Sequence, residues 1–144
     1  MASGLLALMA AAIFTGAAAY VNFAEQPARL RLDDRALLTE WKPSYQRGFA
    51  MQAPLALVGS VLGLIAWWQA SHSGFLIGAI AMIAPWPWTI FGIKPTNDVL
   101  LATDLDQAGA QSRALIVKWG GLHAVRTALG ALASFAFLWA CLQR

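Results

Sequence analysis

Four long apolar runs separated by three polar connections organise this chain: residues 5–24, 48–70, 74–93 and 119–142. Each is close to the ~20 residues a helix needs to cross about 30 Å of hydrocarbon. Backbone polar groups cannot stay unpaired in lipid, so helices are the expected form. The pattern predicts an all-α membrane protein: an antiparallel four-transmembrane-helix bundle, folded as one domain over residues 1–144. Only Ser71, His72 and Ser73 join the second and third runs, which fits a tight hairpin. The first run is read as a span and not a secretory leader, because no Lys or Arg precedes it.

The first and third connections have a helical pattern of their own. Leu30, Leu37, Leu38 and Trp41 share one side of a helix, opposite Arg31 and Arg35. Leu101, Leu105, Ala108, Ser112 and Leu115 do the same in the third connection, with Asn97 or Asp98 as the expected N-cap. Short amphipathic interfacial helices are therefore expected there, roofing the bundle. Small-xxx-small pairs (Ala12/Gly16, Gly59/Gly63, Gly74/Gly78, Gly130/Ser134) offer the spans close packing and leave homo-oligomerisation open.

Composition agrees: 59% of residues are apolar and 12% charged, against about 25% charged in a soluble domain. The net charge of +3 is mild and the basic residues form no run, which argues against a nucleic-acid partner. Cys141 is the single cysteine, so an intrachain disulfide, a CxxC redox centre and a thiolate zinc site are excluded.

Charge also sets an expected orientation. Arg29, Arg31, Arg35, Lys42 and Arg47 lie in or beside the first connection, and Lys94, Arg113 and Lys118 in or beside the third. The second connection has no Lys or Arg, and Arg144 alone follows the last span. The positive-inside rule then puts connections one and three in the cytoplasm. Both termini fall on the non-cytoplasmic side of the inner (plasma) membrane. Trp67, Trp68 and Trp139 fall at the outer ends of spans and Trp86, Trp88 and Trp119 toward the inner ends, as interfacial belts would have it.

The polar residues of the spans gather at one end of such a bundle. Asn22 and Glu25 close the first span, and Tyr45, Arg47 and Gln52 open the second. Thr89 and Lys94 close the third, followed by Pro95-Thr96-Asn97-Asp98, and His123 and Arg126 open the fourth. Trp119, His123 and Arg126 are spaced i, i+4, i+7 and share one helix face. Ionisable groups at membrane depth are costly and usually mark a function. A polar pocket walled by Trp86, Trp88, Trp119, Phe91 and Met51 is expected at the inner half.

Each member also has a structural reading. Glu25 pairs with Arg29 at i, i+4, or with Arg126. Arg126 ties helix carbonyls or snorkels to headgroups. Gln52 makes an interhelical hydrogen bond, and the tryptophans are belt residues. His72 sits in an exposed turn with no role, at the end opposite His123, so the two cannot jointly hold a haem.

Four segments together resemble the anthrone oxygenase-like membrane family. They are Asn22-x-x-Glu25-Gln26-Pro27-Ala28-Arg29, Trp41…Tyr45-x-Arg47-Gly48, Pro95-Thr96-Asn97-Asp98 and Trp119-x-x-x-His123-x-x-Arg126-Thr127. The resemblance implies a membrane-embedded oxygenase that turns an anthrone-like aromatic into a quinone. It implies His123 as base, Arg126 and Asn97 (with Gln52) stabilising the oxyanion, and Glu25 orienting His123 or holding Arg126. Asn22, Tyr45, Thr89 and the ring faces of Trp86, Trp88 and Trp119 would contact substrate. No cofactor is then required, and the partners are a hydrophobic small molecule, O₂ and the bilayer.

Two other readings compete. His123 and Glu25, with Asn22, Asn97 or Asp98, offer mixed N/O donors for one iron or copper ion, although only one histidine is on that side. A non-catalytic subunit or carrier for a hydrophobic metabolite would use the same pocket without turnover. A channel is disfavoured, because no polar stripe runs along the outer halves of the spans.

Overall fold

A computed structural model describes residues 2–143. Helices α1 (Ala2–Arg29), α2 (Asp34–Ala70), α3 (Ser73–Ala102) and α4 (Ala110–Leu142) are each long and apolar enough to span a membrane. No strand occurs among the described residues. The helices form a ring in chain order: α1 packs on α2 and α4, and α3 closes it by packing on the same two. The expected all-α four-helix membrane bundle is the observed one. Arg144, counted above as the basic residue beyond the last span, lies outside the described residues.

All four helices outrun their apolar runs at one end, that of the first and third connections. The expected interfacial helices are therefore not separate segments. Residues 34–47 bury Leu37, Leu38 and Trp41, as their periodicity predicts, but run through Pro43 directly into α2. The third connection divides. Leu101 lies in the last turn of α3, Leu105 opens a 3₁₀ turn (Leu105–Gln107), and Ser112 and Leu115 belong to α4. Asn97 and Asp98 cap nothing, because α3 stays helical from Lys94 to Ala102. The Lys94–Asp98 pair, 2.6 Å apart at i, i+4, supports that turn.

Side chains tie this polar end together. Asp33 accepts from the Ala36 N–H at 2.9 Å and caps α2. Lys42 donates to the carbonyls of Leu101 (3.1 Å) and Thr103 (2.6 Å), placing a cation at the C-terminus of α3. Arg113 reaches back from α4 to Asp34 and to the carbonyls of Leu30 and Leu32.

Two dry cores fill the ring. Toward the hairpin end, Ala7, Ala11, Ala56 and Ala133 alternate with Phe14, Phe75, Met82 and Phe137. Small residues let backbones approach there: a Cβ on Gly78 would lie 2.3 Å from Phe137, and one on Gly59 2.7 Å from Met82. Gly16 is the exception among the expected pairs: it and Ala12 face outward, and a Cβ on Gly16 would meet nothing within 4 Å. At the polar end, Leu37, Leu38, Trp41, Leu100, Ile116 and Trp119 form the second core. Outward-facing positions are apolar as well, Phe23, Trp68 and Phe91 being at least 80% exposed, as a lipid-facing surface requires.

Between the cores, α1 and α3 each widen into a π-helical turn, at Val21–Glu25 and Thr89–Ile93. The cause is the same in both. Pro27 and Pro95 lack an N–H, and their rings crowd the carbonyls four residues back, those of Phe23 and Phe91. The residue before each proline, Gln26 or Lys94, instead donates to a carbonyl five back, on Val21 or Thr89. Such bulges favour functional sites, and here they carry Asn22 and Thr89.

Candidate functional site

His123 lies on the α4 face that passes from one core to the other, and is 4% exposed. Its Nδ1 is 2.9 Å from Asn22 Oδ1. The Asn22 amide is fixed in orientation because its Nδ2 donates to the Gly120 carbonyl at 2.9 Å. Asn22 Oδ1 also accepts from the Thr127 hydroxyl at 2.7 Å. An amide oxygen carries no proton, so Nδ1 of His123 is the donor. In the neutral ring this leaves the lone pair on Nε2, which has no partner among the described residues.

The ring of His123 lines a cavity together with Tyr45, Gln52, Asn97, Trp119 and Arg126. These are six of the residues singled out by sequence. The free space is about 20 Å³, enough for one water-sized molecule, which needs roughly 10–15 Å³. Aromatic rings frame it. Trp119 leans on His123 with centroids 4.9 Å apart and meets Trp41 edge-on at 5.7 Å. Trp41 stacks on Tyr45 at 5.1 Å, and Phe49 and Trp86 continue the row along α2 and α3.

Polar groups on this wall are under-satisfied. Gln52 Oε1, Trp119 Nε1 and Arg126 Nε are buried without a hydrogen-bond partner among the described residues. The Tyr45 hydroxyl faces Asn97, yet neither amide atom of Asn97 completes a hydrogen bond of ordinary geometry. Arg126 is 6% exposed, and none of the ion pairs among the described residues includes it. Its contacts are a 3.4 Å hydrogen bond to Thr89 Oγ1 and the face of Phe14 at 5.7 Å. A buried cation ordinarily has an anionic partner; this one has a long hydrogen bond and a ring.

Arg126 also borders a second, apolar cavity of about 50 Å³ between α2 and α3, lined by Phe49, Ala53, Trp86 and Thr89. Trp86 and Thr89 thus reach the site from its far side, and the Trp86 indole donates to the Ala53 carbonyl at 3.2 Å. Trp88 does not reach it. Its indole is committed to the Leu122 carbonyl at 2.9 Å. Of the other expected walls, Phe91 faces outward, and Met51 borders an outer groove between α1 and α2.

Glu25 neither orients His123 nor holds Arg126. It is bound to Arg29 one turn on and to the Ser44 hydroxyl. Arg29 is 3% exposed, pairs with Glu40 at 3.1 Å, and lies 5.8 Å from the ring centroid of Trp119. The partner of His123 is instead Asn22, whose side-chain oxygen Thr127 holds in turn. Thr127, Ser44 and Gln26 carry interactions at the site that sequence reasoning did not assign, whereas the Glu25–Arg29 pair is the one its i, i+4 spacing predicts. Gln26 Nε2 donates to the Ile116 carbonyl at 2.8 Å. The available signal on α1 was Pro27, whose missing N–H forces the π turn at Val21–Glu25.

Of the donors named for iron or copper, Asn22 and Asn97 stand at the cavity of His123, whereas the two carboxylates are engaged elsewhere. Glu25 is held by Arg29 and Asp98 by Lys94. Among the described residues, no three His, Cys, Asp or Glu side chains come together. His72 has a structural role after all: its Nδ1 accepts from the Gly74 N–H at 3.1 Å, and its ring packs on Trp139 at 4.8 Å.

No curated protein and no solved structure matches this chain. A family model described as anthrone oxygenase matches residues 41–136, about two thirds of the sequence, taking in Tyr45, Gln52, Asn97, Trp119, His123 and Arg126. The chain belongs to the anthrone oxygenase family.

Proposed function

We propose that this protein is a cofactor-independent membrane oxygenase acting on a hydrophobic, anthrone-like aromatic. One observation supports this above others: a buried guanidinium without a carboxylate, Arg126, on the same cavity as a histidine whose Nδ1–H is fixed by Asn22. That pair is suited to removing a proton from a carbon acid and holding the anion formed.

The steps balance without a further oxidant. His123 Nε2 takes a proton from the CH₂ of the anthrone, and the electron pair moves onto the ring oxygen as a phenolate facing Arg126. The electron-rich carbon then reduces O₂, forming a C–O bond and a peroxide anion. His123 returns its proton to give the hydroperoxide, which loses water to become the quinone. The sum is anthrone plus O₂ giving anthraquinone plus H₂O. Asn97, Tyr45 and Gln52 supply polar contacts to the developing oxygen charges, and the surrounding aromatic residues keep water scarce. A three-ring substrate exceeds the free space, so Tyr45 and Phe49 must swing aside to admit it. In this reading the polar end of the bundle faces the cytoplasm.

The test is O₂ uptake by the purified protein in detergent with a simple anthrone, beside His123→Asn. Uptake above the spontaneous rate, insensitive to chelators and reduced by about 10² or more in the variant, is the expected result. Uptake no faster than the spontaneous rate would overturn the reading.

A further inference from the structure

Between α1 and α2 an open groove of about 400 Å³ runs along the outer surface, a volume within the roughly 300–1,000 Å³ of ligand sites. Tyr20, Arg47 and Met51 form its outer part. Val21, Ser44, Gly48 and Gln52 line both this groove and the cavity of His123 and Arg126. The groove and the cavity therefore share a wall, and Gly48 is its smallest element.

Packing does not account for that glycine. Gly59, Gly63 and Gly78 sit where a Cβ would collide with Met82 or Phe137, whereas a Cβ on Gly48 would meet nothing within 4 Å. Glycine is also a poor helix former in the middle of a helix, and Gly48 lies well inside α2. What the missing side chain leaves is open space on the wall between groove and cavity.

Charge defines what fits the route. Arg47, exposed at the mouth, is in none of the ion pairs among the described residues. Glu25, the acid of the groove, is already held by Arg29. At the inner end stands Arg126, also without a carboxylate. An unpaired cation at each end, with Ala17, Tyr20, Val21 and Met51 as the apolar lining and Ser44 and Gln52 as neutral polar groups between, suits an apolar body carrying an acidic hydroxyl.

We propose that the α1–α2 groove is the entrance from the bilayer for a lipophilic weak acid, a phenol or enol bound as its anion, and that Gly48 is the gate limiting its size. This rests on the reading above in taking Arg126 as the end point, and not in requiring turnover.

The experiment is stopped-flow tryptophan quenching in lipid nanodiscs, with 2-hydroxyanthraquinone as probe and its methyl ether as neutral control. Wild type should prefer the phenol by about tenfold or more. Gly48→Leu should slow association and dissociation together by about tenfold with little change in Kd. Ala50→Leu, at an exposed position of the same helix, should leave both rates unchanged, and Gly48→Ala should lie between. Association by Gly48→Leu within about twofold of wild type, or equal affinity for phenol and ether, would overturn the entrance. Unaltered anthrone turnover in Gly48→Leu would overturn it too while leaving the oxygenase standing. Gated binding in a wild type that turns nothing over would leave the entrance standing and remove the oxygenase.

Discussion

Asn22 Oδ1 accepts from His123 Nδ1 at 2.9 Å across the α1–α4 interface, and the Gly120 carbonyl fixes which way that amide points. One short side chain in a π-helical turn thus decides which imidazole nitrogen carries the proton. Asn22→Leu should reduce turnover by about 10–100-fold, the cost usual for removing a group that orients a functional histidine, with KM little changed. Thr127→Val, which removes only the second hydrogen bond to the same oxygen, should cost less. The imidazole ¹⁵N shifts distinguish this from simple misfolding: Asn22→Leu should show a mixture of tautomers where wild type shows one.

Arg126 makes the opposite case, a costly group with little structural return. Removing an unpaired buried charge relieves desolvation, so Arg126→Met should keep or raise the thermal midpoint in detergent. The same variant should lose about 10²–10³ in turnover if the guanidinium holds a developing oxyanion. Destabilisation together with unchanged turnover would mean that Arg126 is a structural tie to Thr89.

Arg29 behaves differently despite similar burial, because Glu25 and Glu40 both pair with it. Arg29→Met leaves two partly exposed carboxylates without their cation and should destabilise by about 1–3 kcal/mol, the cost of leaving polar partners unsatisfied. Glu25→Gln leaves the Glu40 contact in place and should cost far less, with turnover near wild type. A large turnover loss in Glu25→Gln at unchanged stability would restore to Glu25 the catalytic role that its geometry denies.

Much of this was legible in the sequence, and the residues show why. Apolar length fixed four spans, and the clustering of Tyr45, Gln52, Asn97, His123 and Arg126 at one end survived folding, because antiparallel helices must bring those ends together. Pairings were less legible. Glu25 offered Arg29, Arg126 and His123 as partners, and only the rotation of α1 decides among them. That rotation is set by the π turn before Pro27, a one-residue slip in the ladder that a 3.6-residue pattern does not contain. The same slip before Pro95 keeps Asn97 within α3 as a cavity residue, where a cap was expected. Trp119 and Trp88 read as belt residues because their spacing from the span ends is right. Whether an indole faces lipid or a neighbouring carbonyl depends on helix rotation too.

Glycines separate close packing from open space, and stability should follow that division. At Gly78 a Cβ would lie 2.3 Å from Phe137, a ring buried in the alanine-rich core. Gly78→Ala should therefore destabilise by about 1–3 kcal/mol, the usual cost of overpacking. Gly16, the outward member of another small-residue pair, meets nothing within 4 Å, so Gly16→Ala should gain up to about 1 kcal/mol from helix propensity alone. Thermal midpoints of the two variants in one detergent check this directly. If Gly16→Ala were instead destabilising, a contact beyond the single chain would be the remaining source of the loss. The Ala12/Gly16 face would then be where a second copy packs, and the shift should vanish at protein concentrations low enough to dissociate it.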